Sequence, residues 1–314
     1  MGQYLLRRLL VFIPTLLVVA FLIFFMIDLV PGDPVGLILG IEATTEAMDA
    51  MRADLGLDRP FHERLVSWFA DAFRGDLGDS IFLREPVTTS LAERYPVTIS
   101  MTILSLLVAL LVGIPAGIIA AINQGGLADW AAMVMALIVL SVPSFWLALN
   151  LIYLFGVKWR WLPIGGYVPF GEDPLEFFKH MVLPCISLGL AYSAMIARMT
   201  RTSMLEVLRM DYVRTAQAKG LRQRVVILRH AFRNALIPVI TVIGLGAGSL
   251  LGGSAVTETV YNLPGVGRLV VEAVKRRDYF VVQGGILAIT ATYLVINLLV
   301  DLLYVGIDPR IRYD

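Results

Sequence analysis

Lysine, histidine and cysteine carry much of the chemistry a chain can perform unaided, and here they are few and scattered. The four lysines, Lys158, Lys179, Lys219 and Lys275, never follow a glycine, so no GxxxxGK[ST] phosphate-cradling loop exists. His62, His180 and His230 lie far apart and form no HExxH, which leaves no metal site to propose. Cys185 sits alone in an apolar run, and no G-x-S-x-G nucleophile elbow occurs. A catalytic reading has no residues to stand on. If the protein moves something uphill, the energy comes from another chain or from an ion gradient.

One polar stretch does have usable spacing: DYVRTAQAKGLRQ, from Asp211 to Gln223. Asp211 can serve as an N-cap and Gly220 as a left-handed stop, which predicts about two turns of helix. A helix that short is unstable alone in water and needs a partner surface. Ala216 and Ala218 keep its profile thin enough to enter a groove, where Arg214 and Lys219 would meet acidic groups.

The elements that must position this helix are oily. The chain has 314 residues, 58% hydrophobic and 16% charged; a soluble domain has about 25% charged. A net charge of +1 argues against nucleic acid as a partner. Six charge-free stretches approach the ~20 residues that cross a bilayer core: Leu9–Ile27, Val97–Ile122, Ala131–Val157, Met181–Ala197, Ala235–Val256 and Phe280–Val300. The first exceeds a signal-peptide core and lacks an A-x-A site, so it reads as a retained helix.

Topology follows from the cations. Arg7 and Arg8 precede the first span; segment 28–96 carries thirteen acids against six bases; segment 198–234 carries nine bases against Glu206 and Asp211. The termini and the 198–234 loop are therefore expected in the cytoplasm and 28–96 outside. Lys275, Arg276 and Arg277 disagree, because they fall in the last outer loop.

Segment 28–96 is patterned. After the turn-rich PGDP at 31–34, a helix should start at Thr44 or Thr45 and stop before Gly56. Phe61–Gly75 places Leu65, Trp68, Phe69 and Phe73 at helical spacing, and a third short helix is expected from Pro86 to before Pro96. This segment is either a solvated cap on the bundle or a docking surface for a soluble partner.

Two small-residue rows run along the expected spans: Gly244, Gly248 and Gly252 (with Gly253 beside it), and Ala109, Gly113, Gly117 and Ala121. Such rows let helix backbones approach closely, and a smooth face could also line a path for a bulky solute. Asn150 and Asn297 are expected to make interhelical hydrogen bonds.

DYVRTAQAKG followed by LRHAFRNALIP resembles the cytoplasmic coupling loop of ABC importer permeases. The resemblance is to the B-type membrane subunit of dipeptide and oligopeptide importers, a family that includes nickel and glutathione systems. It extends over PGDP (31–34), LGLDRP (55–60), GDLGDS (75–80), SVPSFW (141–146), WLP (161–163), ETVYNLPGVGRL (258–269), RDY (277–279) and DPRIRY (308–313). Arg214, Thr215 and Ala216 stand where the general pattern has Glu-Ala-Ala, a form similar to the peptide subfamily's.

The resemblance implies an all-α membrane protein of six transmembrane helices with the type I importer fold. Residues 1–30 would be an N-terminal span, 31–94 an extracytoplasmic helical insertion, 95–304 the permease core with its coupling loop at 198–234, and 305–314 a cytoplasmic tail. It implies a non-catalytic subunit forming half of a pathway for short peptides in the bacterial inner membrane. A second homologous permease, two P-loop ATPases and a solute-binding protein would complete the complex, with ATP and Mg bound by the ATPases and no cofactor by this chain. Asp211, Tyr212, Arg214, Thr215, Ala216, Ala218, Lys219 and Gly220 would form the coupling helix, and Gly244, Gly248, Gly252 and Gly253 the pathway or packing face. Nickel or glutathione import is the alternative cargo reading. An ion-coupled carrier is a more distant one, disfavoured by charge-free spans and the absence of inverted repeats. A membrane scaffold would leave the 211–223 helix unexplained.

Overall fold

The computed structural model describes residues 2–29, 35, 44–54, 56 and 58–307. The PGDP and DPRIRY motifs lie outside the described residues, as do Arg310, Arg312 and the side chains of Arg7 and Arg8. Among the described residues the chain is helical, and backbone pairing is confined to one isolated bridge between Asp79 and Pro86. The helices are α1 (Gly2–Leu29), α2 (Thr45–Asp54), α3 (Phe61–Phe73), α4 (Val87–Ile122), α5 (Leu127–Ser141), α6 (Ser144–Lys158), α7 (Pro174–Leu208), α8 (Asp211–Ala218), α9 (Gln223–Val260), α10 (Val266–Arg276) and α11 (Tyr279–Ile307).

Four of these, α4, α7, α9 and α11, are long and apolar enough to cross a bilayer, and α5 with α6 makes a fifth if the pair is one span. The described apolar part of α1 is Leu10–Met26, about 25 Å at 1.5 Å per residue, somewhat short of a ~30 Å core. The expected span Ala131–Val157 is not one straight helix. It bends by 98° between α5 and α6, and the cause is local. Pro143 has no N–H to donate, and it forces the residue before it out of the helical region; Val142 is accordingly extended, with φ −87° and ψ 123°.

The short helix expected to end before Pro96 also differs, because α4 runs through Pro96 and Pro115. A proline removes one backbone bond at a cost of ~3 kcal/mol. Burial of Val97 and Met101 just beyond it, at ~1.5–3 kcal/mol each, is enough to hold the helix together.

The chain divides into two compact units. The first is Met1–Tyr95 with Arg268–Thr292. Here α2 begins as the sequence predicts: Thr44 Oγ1 accepts from Ala47 N (3.3 Å), and Gly56 lies past the end at φ +64°. The apolar stripe of α3 is covered in part: Trp68 is buried with Ala20 and Phe24 of α1, and Phe61, Leu65, Phe69 and Leu287 close around them, while Phe73 is left 75% exposed. The GDLGDS and RDY motifs meet where Asp278 accepts from Ser80 Oγ (2.6 Å) and Phe82 N (3.3 Å).

The second unit is Pro96–Gly267 with Tyr293–Asp314. Its core gathers Val97 and Met101 of α4, Ala148 of α6, Met181, Cys185 and Leu188 of α7, Leu250 of α9, and Tyr261. α7 starts on Pro174 behind Asp173, whose carboxylate accepts from Leu175 N (2.9 Å) and Glu176 N (3.1 Å). Asn150 does not bond between helices: its Nδ2 donates to Trp146 O (2.7 Å) within α6.

Candidate coupling helix and small-residue face

α8 spans Asp211–Ala218, as its length in the sequence predicts, but its caps differ in detail. The N-cap is Met210, extended and without a side-chain bond, so Asp211 is the first helical residue. There its carboxylate faces the positive end of the helix dipole, 3.7 Å from Arg214. The C-terminal end is a Schellman turn: Gly220 N donates to Gln217 O (2.9 Å) and Leu221 N to Ala216 O (3.4 Å), with Gly220 at φ +74°.

Two faces result. Val213 (0% exposed) and Ala216 (7%) pack against Val226, with Val207 and Leu208 around them. Ala216 therefore seats the helix on its own chain, and a partner is left the other face: Asp211, Tyr212, Arg214, Thr215, Gln217, Ala218, Lys219 and Gly220 are exposed. Tyr212 is tied down by Asn234, whose Nδ2 donates to its Oη (3.0 Å) and to His230 O (2.8 Å). Beside α8 opens a cavity of about 500 Å³ lined by Asn123, Gln124, Arg209, Gln217 and Gln223. The sequence hinted at the seat, since Val213 and Ala216 are three apart, but nothing local marked Val226 or Asn234 as their partners.

Of the four α9 glycines singled out in the sequence, two are covered. A Cβ on Gly244 would meet Val300 at 2.5 Å, and one on Gly248 would overlap the Tyr293 ring. Gly252 has nothing within 4 Å, and Gly253 only the tip of Leu188 at 3.9 Å. The row on α4 is buried in backbone: a Cβ on Gly113 would stand 2.6 Å from Ser193 O, and one on Gly117 2.6 Å from Ala197 O.

Two polar links escaped the sequence reading. The Asp129 carboxylate (residue 4% exposed) accepts a two-pronged bond from Arg201, with Nη2 at 2.7 Å, and a third from Gly125 N (3.0 Å). This ties the α4–α5 turn to α7, about two turns before that helix ends. Glu258, fully buried, accepts from Thr98 Oγ1 (2.8 Å), which in turn accepts from Val266 N (2.9 Å). Each link joins residues far apart in the chain, so no local pattern could have announced it.

Comparison with known proteins decides what this scaffold belongs to. Residues 113–313 match the family model described as the binding-protein-dependent transport system inner membrane component, and residues 1–102 match the model of that component's N-terminal region. A probable peptide ABC transporter permease of Sinorhizobium fredii is 44% identical over 100% of both chains. This chain belongs to the binding-protein-dependent transport permease family.

Other relatives of this permease include a glutathione transport system permease of Pectobacterium atrosepticum, 43% identical, and a dipeptide transport system permease of Alkalihalophilus pseudofirmus, 42% identical, each over 100% of both chains. The inward-facing MetNI methionine ABC transporter gives a TM-score of 0.56 at 16% identity, over 69% of this chain and 96% of that one, which shows a shared fold. A permease is a multi-pass membrane protein, and that accounts for the large apolar side chains left bare on α4, α5 and α6, such as Leu111, Ile138 and Leu149. On a soluble monomer a surface so apolar would be a liability; in a membrane protein it has lipid or a neighbouring subunit to meet.

Proposed function

We propose that this chain is one of two homologous transmembrane subunits of an ATP-driven importer of short peptides in the bacterial inner membrane. It crosses the membrane six times with both termini in the cytoplasm, and 31–94 is an extracytoplasmic insertion. Two ATPases below hydrolyse ATP with Mg, and a solute-binding protein delivers cargo from outside. The peptide assignment rests on full-length relatives named for peptide transport at 44–45% identity. Glutathione, itself a tripeptide, is the second reading, because relatives named for it are 43% identical; nickel import rests on the family resemblance alone.

The observation that carries the mechanism is the two-faced α8. A two-turn helix seated by Val213 and Ala216 and stopped by Gly220 presents Arg214, Ala218 and Lys219 outward. It is rigid toward its own chain and thin toward a partner, which suits it to pass a stroke from an ATPase groove to α7 and α9. Gly244, Gly248, Gly252 and Gly253 then contribute to the pathway side of α9 or to its packing.

The test substitutes the free face and the stop. Ala218→Glu and Gly220→Val should leave a correctly inserted protein whose ATP-driven peptide uptake falls by an order of magnitude or more. A side chain at φ +74° is strained whatever space surrounds it. Charge-preserving Arg222→Lys, beyond the helix, should keep near-normal uptake. Normal uptake in both disruptive variants would remove α8 from the coupling role.

A further inference from the structure

Four cations lie where the charge asymmetry of the rest of the chain disfavours them: Lys275 and Arg276 in the last turn of the amphipathic α10, Arg277 just after it, and Arg84 in the loop before α4. That loop is rigidly tied. Ser80 N donates to Glu85 O (2.9 Å), Arg84 N to Ser80 O (3.0 Å) and Leu83 N to Ser80 Oγ (2.9 Å). Asp278, buried, then accepts from both Ser80 Oγ (2.6 Å) and Phe82 N (3.3 Å), which pins the loop tip to the end of α10. The Arg276 guanidinium lies 5.3 Å from the Phe82 ring centroid.

Arg84 and Arg277 both adopt φ 55°. That backbone region is unfavourable for a side chain and persists where the surroundings over-determine it. The tip so held is apolar and bare: Phe82 is 43% exposed and Leu83 40%. Most neighbouring acids are already engaged, Glu272 by Arg268 (2.7 Å), Glu85 by Arg94 (3.9 Å), and Asp278 by the loop itself. Asp79 remains exposed, against four arginine and lysine charges.

We infer that this corner, Phe82–Arg84 with Lys275 and Arg276, is the point at which an acidic surface of the extracytoplasmic solute-binding protein docks. The inference rests on the importer reading above and deepens it by naming the surface. An apolar centre ringed by cations has the layout of a protein interface, anchor inside and charge at the rim. A bilayer surface conforms to any cationic segment and needs no clamped loop.

The experiment uses the assembled transporter in nanodiscs, with ATP hydrolysis followed as its peptide-loaded cognate binding protein is added. The Arg84→Glu/Lys275→Glu variant alters exposed side chains outside every core, and it should raise the half-saturating binding-protein concentration by about tenfold at low salt, because rim charges act on encounter. Basal hydrolysis should not change, and added salt should weaken wild-type stimulation more than that of the variant. Phe82→Ser should raise the half-saturating concentration too, but without the salt signature. An unchanged half-saturation in both variants overturns the inference while leaving the importer reading intact. Loss of response to anionic lipid content, with half-saturation unaltered, assigns the corner to the bilayer instead and equally overturns it. A wild-type complex that the binding protein fails to stimulate overturns the importer reading itself.

Discussion

α4 and α9 carry the same signature in the sequence, small residues every four positions, and the fold uses the two rows differently. On α4, Gly113 and Gly117 are pressed against carbonyl oxygens of α7, with Ala109 and Ala121 buried at either end of the row. On α9, Gly244 and Gly248 meet side chains of α11, while Gly252 opens onto empty space. A small-residue row states that a helix face is smooth. What covers that face, whether backbone, a movable ring or nothing, depends on where the neighbouring helix lies, and the energetic consequences differ accordingly.

The sharpest break between the rows should come at Gly117. A carbonyl of a packed helix cannot move aside, so Gly117→Leu should cost about 3 kcal/mol or more, at the upper end of overpacking. The thermal midpoint of the detergent-solubilised protein should drop by several degrees, or the variant should fail to accumulate. Wild-type melting would mean that the α4 row is no more constrained than that of α9.

A middle case is Gly248. Its neighbour is the Tyr293 ring, a side chain 37% exposed and able to swing. Gly248→Leu should cost ~1–2 kcal/mol, and adding Tyr293→Ala should recover part of it, giving a measurable coupling between the two positions in a double-mutant cycle. Additive losses would show that the strain lies in backbone rather than in the ring.

The smallest stability effect belongs to Gly252. With nothing within 4 Å, Gly252→Leu should stay within ~0.5 kcal/mol of wild type. If this part of α9 lines the route of the peptide or meets the second permease, uptake should nevertheless fall several-fold at unchanged melting. Unaffected uptake would make it ordinary lipid-facing surface.

Much of this protein is fixed by local rules and could be read from the chain. The apolar runs of α4, α7, α9 and α11 have the lengths a bilayer requires; Thr44 and Gly56 bound α2; Gly220 stops α8 because a residue without a Cβ adopts a left-handed turn at little cost. Each depends on residues within a few positions of one another. Pro143 also acts through local chemistry, breaking the single span expected over Ala131–Val157 into α5 and α6. Tertiary structure alone decided the rest. It paired Asp129 with Arg201 and Glu258 with Thr98, turned Ala216 inward to a seat rather than outward to a partner, and brought Ser80 onto Asp278. The physical reason is the same throughout. A backbone conformation depends on its near neighbours in sequence, whereas a contact depends on which distant surface arrives, and that is set by the packing of all the helices at once.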